Sequence, residues 1–161
     1  MTVDYHHILG CTDFSELGDL ALRKAASLAA AAGCKFTAMT VLPQPEMPSP
    51  LISHYEVQSD ASLKKRAKEA AEAALLERIP DEVLAGATEV VCLVRIGDPT
   101  DEILTADVEL KPDLIVLATH GRRGWSRFIM GSVAERVVQF AHADVLSVRE
   151  PPPEPSAEEE E

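Results

Sequence analysis

Leu114-Ile-Val-Leu-Ala-Thr-His-Gly-Arg-Arg-Gly-Trp-Ser-Arg-Phe-Ile-Met-Gly-Ser132 is the stretch on which the fold turns. Leu114 to Ala118 form a continuous apolar run, as a strand buried on both faces requires. Ser132-Val-Ala-Glu135 has the spacing of a capping box and opens a helix carrying Val133, Val137 and Phe140. Between them, His120 to Ser132 contain no acid, although the net charge of the chain is -12. The connection therefore runs from a strand's carboxyl end to a helix's amino end and is locally basic. Gly121 and Gly124 can take positive φ, while Gly131 and Ser132 leave backbone N–H groups at the positive end of a helix dipole. Phosphate is the expected guest of such a surface.

Strand and helix alternate along the rest of the chain. His7 to Cys11 is a short apolar strand, followed by Thr12-Asp13-Phe14-Ser15. Ser15 is expected to cap a helix with an inward stripe of Leu17, Ala21, Ala25, Leu28 and Ala32, ended by Gly33. Phe36 to Leu42 is the second strand, and the proline-rich Pro43 to Pro50 begins a surface loop. Leu63, Ala67, Ala70 and Ala74 recur at helical spacing and predict a helix that stops before Pro80. Val90 to Ile96 is the third strand; Gly97 turns the chain, and Asp98-Pro99 start a helix with Ile103, Leu104 and Val108 inward. Lys111-Pro112-Asp113 break it before Leu114, and Asp144 to Val148 is the fifth strand. The pattern predicts an α/β fold, an open parallel sheet with helices on both faces. Such sheets bind ligands beyond the strands' carboxyl ends, where strand order reverses. With strands one and four as neighbours there, Asp13 and Gly121 to Ser132 converge, and Val41 offers an apolar wall. Carboxylate, amide-lined anion site and apolar wall together describe a nucleotide pocket.

Composition sets the limits. The chain has 161 residues, 46% of them hydrophobic, which suits one domain over residues 1–149. Residues 150–161, rich in proline and glutamate, are expected to be a disordered acidic tail. A pI near 4.8 opposes nucleic acid and membrane surfaces as partners. No apolar run approaches the roughly 20 residues that span a bilayer, and Met1 to His7 lack the features of a secretory signal, so a cytoplasmic location is expected. Cys11, Cys34 and Cys92 are odd in number and widely spaced, and read as reduced core thiols.

Several residues have two readings. Asp13 either closes an Asx turn at the Ser15 helix or contacts a ribose. Arg122, Arg123 and Arg127 either pair with surface glutamates or meet a ligand. Trp125 either packs at a subunit interface or, the favoured reading, anchors the loop on the fold. His120 lacks a nucleophile or carboxylate partner in sequence reach, and His6 and His7 point to opposite faces of a strand. The phosphate-gripping lysine motif of fast hydrolases is missing, as is the Gly-x-Ser-x-Gly elbow. No catalytic residue is assigned, and any ATP turnover is expected to be slow.

From Tyr5 to Arg149 these residues resemble the universal stress proteins. Nucleotide-binding members carry Gly-x-x-Gly, nine residues, then Gly-Ser or Gly-Thr. Here the stretch is Ala118-Thr119-His120-Gly121, nine residues from Arg122 to Met130, then Gly131-Ser132, with alanine replacing the first glycine. The Thr12 to Ser15 turn, the strand ending in Val41, the Val94 to Pro99 turn and the closing Val145 to Val148 strand match as well. The resemblance implies a Rossmann-like, doubly wound sheet of five parallel strands in the order 3-2-1-4-5, with ATP or AMP as ligand. It implies a homodimer formed partly through Val145 to Val148. It implies Cys11, Asp13 and Val41 at the base and ribose, and Gly121, Arg122, Arg123, Gly131, Ser132 and Val133 around the phosphates. Thr12, Gly97, Ala118, Thr119 and His120 complete that binding set, and Asp13 can reach a nucleotide-bound magnesium ion. Two other readings stand beside this one: a nucleotide-free stress protein whose pocket Ala118 has silenced, acting through dimerisation and protein contacts, and a slow magnesium-dependent ATPase.

Overall fold

The computed structural model describes residues 4–44, 53–120 and 130–149. The strands are β1 (His7–Cys11), β2 (Lys35–Leu42), β3 (Glu89–Ile96), β4 (Leu114–Ala118) and β5 (Asp144–Val148). The helices are α1 (Glu16–Ala32), α2 (Ser53–Glu77), α3 (Asp81–Gly86), α4 (Pro99–Leu110) and α5 (Ser132–Phe140). All neighbouring strands run parallel in the order β3-β2-β1-β4-β5. This is the doubly wound, Rossmann-like α/β sheet expected from the sequence. Strand order reverses between β1 and β4, which pair directly through Leu9 and Ile115.

Alternate strand residues enter opposite apolar layers, because successive side chains of a strand point to opposite faces. Ile8, Phe36, Leu114 and Val116 pack with α1, α2 and α3. Leu9, Met39, Ile115 and Leu117 pack with α4 and α5. Gly10 sets the depth of the first layer, since a Cβ there would come within 2.8 Å of the Ala25 methyl and 3.0 Å of the Phe36 ring. Glycine on β1 and the buried alanines Ala21, Ala25, Ala26 and Ala29 on α1 let helix and strand lie close together.

Helix facings differ from the expected stripes. In α1, Leu28 is 38% exposed and Ala32 is exposed, while Leu22, Ala26 and Ala29 are inside. This helix is apolar on several sides, so spacing alone does not select its buried face. α2 starts at Ser53, inside the segment expected to be loop, and buries Ala71 and Leu75 instead of Leu63, Ala67 and Ala70. Its inner face is rotated by one residue from the expected stripe. α3 was not foreseen, because six residues are too few to display a helical period. In α4 Ile103 is buried, Leu104 is half-buried and Val108 is 58% exposed, whereas Asp107 is inside. That carboxylate accepts from the backbone of His142 at 2.7 Å and of Ala143 at 3.3 Å, and so joins α4 to the turn before β5. The capping box at Ser132 does not form: Gly131 is the N-cap of α5 and Ser132 is its first helical residue.

The amino edge of the sheet is closed by its own polar groups. Asp113 accepts from the backbone N–H of His6 at 2.6 Å and of His7 at 2.8 Å. Burial pushes its carboxyl up, but the two N–H donors together with the charges of the His6 and His7 rings hold it below the usual value. The His7 ring lies between Leu110 O and Thr37 Oγ1, and burial lowers its pKa. Among the described residues no helix is long and apolar enough to cross a membrane. Residues 45–52, residues 121–129 with Trp125 and the loop arginines, and the 150–161 tail lie outside the described residues.

Candidate functional site

The turn after β1 is built by its own hydroxyls and carboxylates. Thr12 is buried; its N–H donates to Met39 O at 3.0 Å, and its carbonyl accepts from Thr40 Oγ1 at 2.8 Å. Those bonds fix the turn to the end of β2. Phe14 follows with a left-handed φ of 62°, uncommon for an aromatic residue. Asp13 Oδ1 accepts from Ser15 N at 3.0 Å and Ser15 Oγ at 2.5 Å, while Ser15 Oγ accepts from Gly18 N at 3.0 Å. The Asx turn and the Ser15 cap are therefore both present, and Asp13 is held at the carboxyl end of β1. Gly18 makes room for this arrangement, because a Cβ there would stand 2.5 Å from Asp13 Oδ1.

The matching end of β4 is tied to α5. Thr119 is buried and its N–H donates to Val148 O at 2.8 Å, extending the β4–β5 pairing. Gly131 N donates to Thr119 O at 2.6 Å, which brings the amino end of α5 back to the end of β4. A Cβ at Gly131 would come within 3.1 Å of Thr119 O and 3.3 Å of His120 Cα. The Thr119 hydroxyl and His120 Nδ1 are 3.0 Å apart. Among the described residues no side chain caps α5, so its first-turn N–H groups lack the usual oxygen partner at the positive end of the helix dipole.

An apolar wall joins the two ends. Cys11 and Leu117 are buried in the layer against which Val41, Met130 and Val133 pack. Burial pushes the Cys11 thiol up to about 12, so it stays protonated and serves as surface, not nucleophile. Ala118 ends β4 with its side chain in the α1 layer, on the opposite face of the sheet from this wall, and Thr119 follows it. Gly97 stands apart at the end of the outer strand β3, where it bonds to Leu42 O and leaves room for Glu102. Gly121, Arg122 and Arg123 lie outside the described residues. Sequence reading missed Leu117 and Met130 in the wall, and it missed Asp19 and Arg78 behind the turn. Arg78 meets Asp19 at 2.9 Å across 59 residues of chain, a separation with no local signal.

The family model for the universal stress protein family matches residues 4–149. The chain belongs to the universal stress protein family. A Staphylococcus aureus (strain USA300) chain bearing the universal stress protein name is 32% identical over 148 residues, 91% of this chain and 86% of that one. A universal stress protein of Methanocaldococcus jannaschii is 47% identical over 55 residues, which are 34% of this chain and only 32% of the relative. A solved universal stress protein in complex with cAMP has a TM-score of 0.61 at 25% identity, covering 91% of this chain and 98% of that one. Family structures from Archaeoglobus fulgidus with dAMP and from Arabidopsis thaliana with AMP share the fold, with TM-scores of 0.56 and 0.58 at 22% and 15% identity. They cover 91% and 95% of this chain, and 100% and 97% of their own.

Proposed function

We propose that this universal stress protein binds AMP or ATP across the carboxyl ends of β1 and β4 and acts as a nucleotide-responsive stress module with little or no catalysis. The amino end of α5, which has no side-chain cap among the described residues and is fastened to the end of β4 beside the β1–α1 turn, carries the reading. A phosphate there would supply acceptors for the first-turn N–H groups and the negative charge that the helix dipole favours. Gly121, Arg122, Arg123, Gly131, Ser132 and Val133 form the phosphate side. Cys11 and Val41 form the base side, with Thr12, Gly97, Ala118, Thr119 and His120 completing the set. Asp13 meets the ribose hydroxyls or a magnesium ion brought by the phosphates. The relatives solved with cAMP, dAMP and AMP support an adenine nucleotide as the class of ligand.

Ala118 favours this reading over a silenced pocket. Among the described non-glycine residues only Phe14 and Lys111 have positive φ, so the alanine needs no conformation that glycine alone tolerates. Its methyl packs against the α1 layer, on the opposite face of the sheet from the wall of Cys11, Val41 and Val133. We assign the homodimer to β5, a strand with one free edge, and the location to the cytoplasm. Calorimetric titration of the purified protein with ATP and AMP, with and without magnesium, tests the proposal. Micromolar to submillimolar affinity is expected, and no heat at millimolar nucleotide would sink it.

A further inference from the structure

Behind the β1–α1 turn a chain of contacts leads from Thr12, a member of the binding set above, to Asp19 and Arg78, which lie outside that set. Thr12 Oγ1 accepts from Phe14 N and donates to Asp19 Oδ1, both at 3.0 Å. Asp19 Oδ2 accepts from Arg78 Nε at 2.9 Å. The Arg78 guanidinium lies 4.8 Å from the centroid of the Phe14 ring. Its Nη1 donates to Ala74 O at 2.9 Å, near the carboxyl end of α2. One planar cation thus holds the carboxylate that receives Thr12, covers the residue with left-handed φ, and fastens both to a helix remote in sequence. A left-handed phenylalanine persists only where its surroundings over-determine it. Arg78 adds to those surroundings from one side, while the apolar core against which Phe14 packs supplies the other.

We propose that Arg78 is a positioning residue for the nucleotide site, acting through Asp19 and Phe14 to set the turn that carries Asp13. The proposal rests on the nucleotide reading for its ligand and on the contacts of Arg78 for its geometry. Arg78 directly follows α2 and is bonded to its last turn through Ala74 O, so movement at the carboxyl end of α2 and nucleotide affinity are coupled. A lysine keeps charge toward Asp19 but loses the planar face over Phe14 and the fork that also reaches Ala74 O, and it restores only part of the effect.

Two measurements on the full chain test this. Amide hydrogen exchange of the nucleotide-free protein should accelerate at least tenfold at Phe14 and Ser15 in Arg78→Gln, less in Arg78→Lys, while β4 amides keep their protection. ATP and AMP titration should show affinity lowered roughly fivefold to tenfold in Arg78→Gln. In the Asp13→Asn background the same change should cost less than twofold, because a residue acting through Asp13 loses its effect once that carboxylate is gone. Unchanged exchange in the turn overturns the proposal whether or not nucleotide binds. Faster exchange with unchanged affinity overturns it too, as does a full additive loss in the double variant, which would mark Arg78 as structural only. Wild-type protein that takes up no nucleotide would defeat the nucleotide reading and, with it, the positioning role, even where exchange shows that Arg78 orders the turn.

Discussion

α1 and α5 both begin at the carboxyl edge of the sheet, and their first turns are finished in opposite ways. Ser15 caps α1 by accepting from Gly18 N, and Asp13 in turn accepts from Ser15. α4 follows the same plan, with Asp98 accepting from Thr100 and Asp101. α5 starts after Gly131 and has no side-chain cap among the described residues. A helix whose end is closed by its own oxygen has little left for a ligand, whereas a helix that starts on glycine keeps its donors for an outside anion. In the proposed site the β1–α1 turn is a prebuilt wall, and the β4–α5 junction is the receptive side.

The strongest way to break this comparison is to give α5 the cap that α1 has. Gly131→Asp would place a carboxylate at the amino end of α5 and should weaken ATP binding by about 2–3 kcal/mol, the loss of one or two charge-assisted hydrogen bonds. Unchanged affinity by calorimetry would show that α5 is not the anion site. Asp13→Asn probes the wall instead: it should lower nucleotide affinity by about 1.5 kcal/mol, one charged contact, with the far-ultraviolet circular dichroism unaltered. If magnesium dependence survives unchanged in that variant, Asp13 does not reach the metal.

Ser15→Ala should separate the two ends further. It removes a true cap, so urea unfolding should register a loss of about 1 kcal/mol, with less than a threefold effect on affinity. The smallest effect is expected of Ala118→Gly, which should reduce stability by about 0.5–1 kcal/mol through added backbone freedom in a strand and alter affinity less than threefold. A rise from no binding to micromolar binding in that variant would show that the methyl group silences the pocket.

Strands were the most legible part of the chain. β1, β4 and β5 have the bounds expected, and β2 and β3 each begin one residue earlier, because an apolar run between turn residues is a local signal. The Ser15 and Asp98 caps and the Gly33 terminator were legible for the same reason: each acts within four residues of itself. Ser132 was misread because serine followed by glutamate fits a capping box, while the bond from Gly131 N to Thr119 O sets the start of α5 one residue earlier. The proposed site was legible where it belongs to the turn and loop motifs, as at Asp13 and Gly131, and illegible where the arrangement is assembled across the fold, as at Leu117, Met130, Asp19 and Arg78.

By itself the sequence determined the alternation of strands and helices, the parallel sheet that follows from it, and the two glycine- and hydroxyl-bearing connections at the strands' carboxyl ends. Local sterics and short-range hydrogen bonds suffice for those. Only the tertiary structure decided which side of each alanine-rich helix is buried, that Asp107 belongs inside, and that Arg78 stands behind the Thr12 to Ser15 turn. Those outcomes depend on what a face meets after folding, and contacts such as Gly10 with Ala25 or Asp19 with Arg78 exist only once distant segments are packed together.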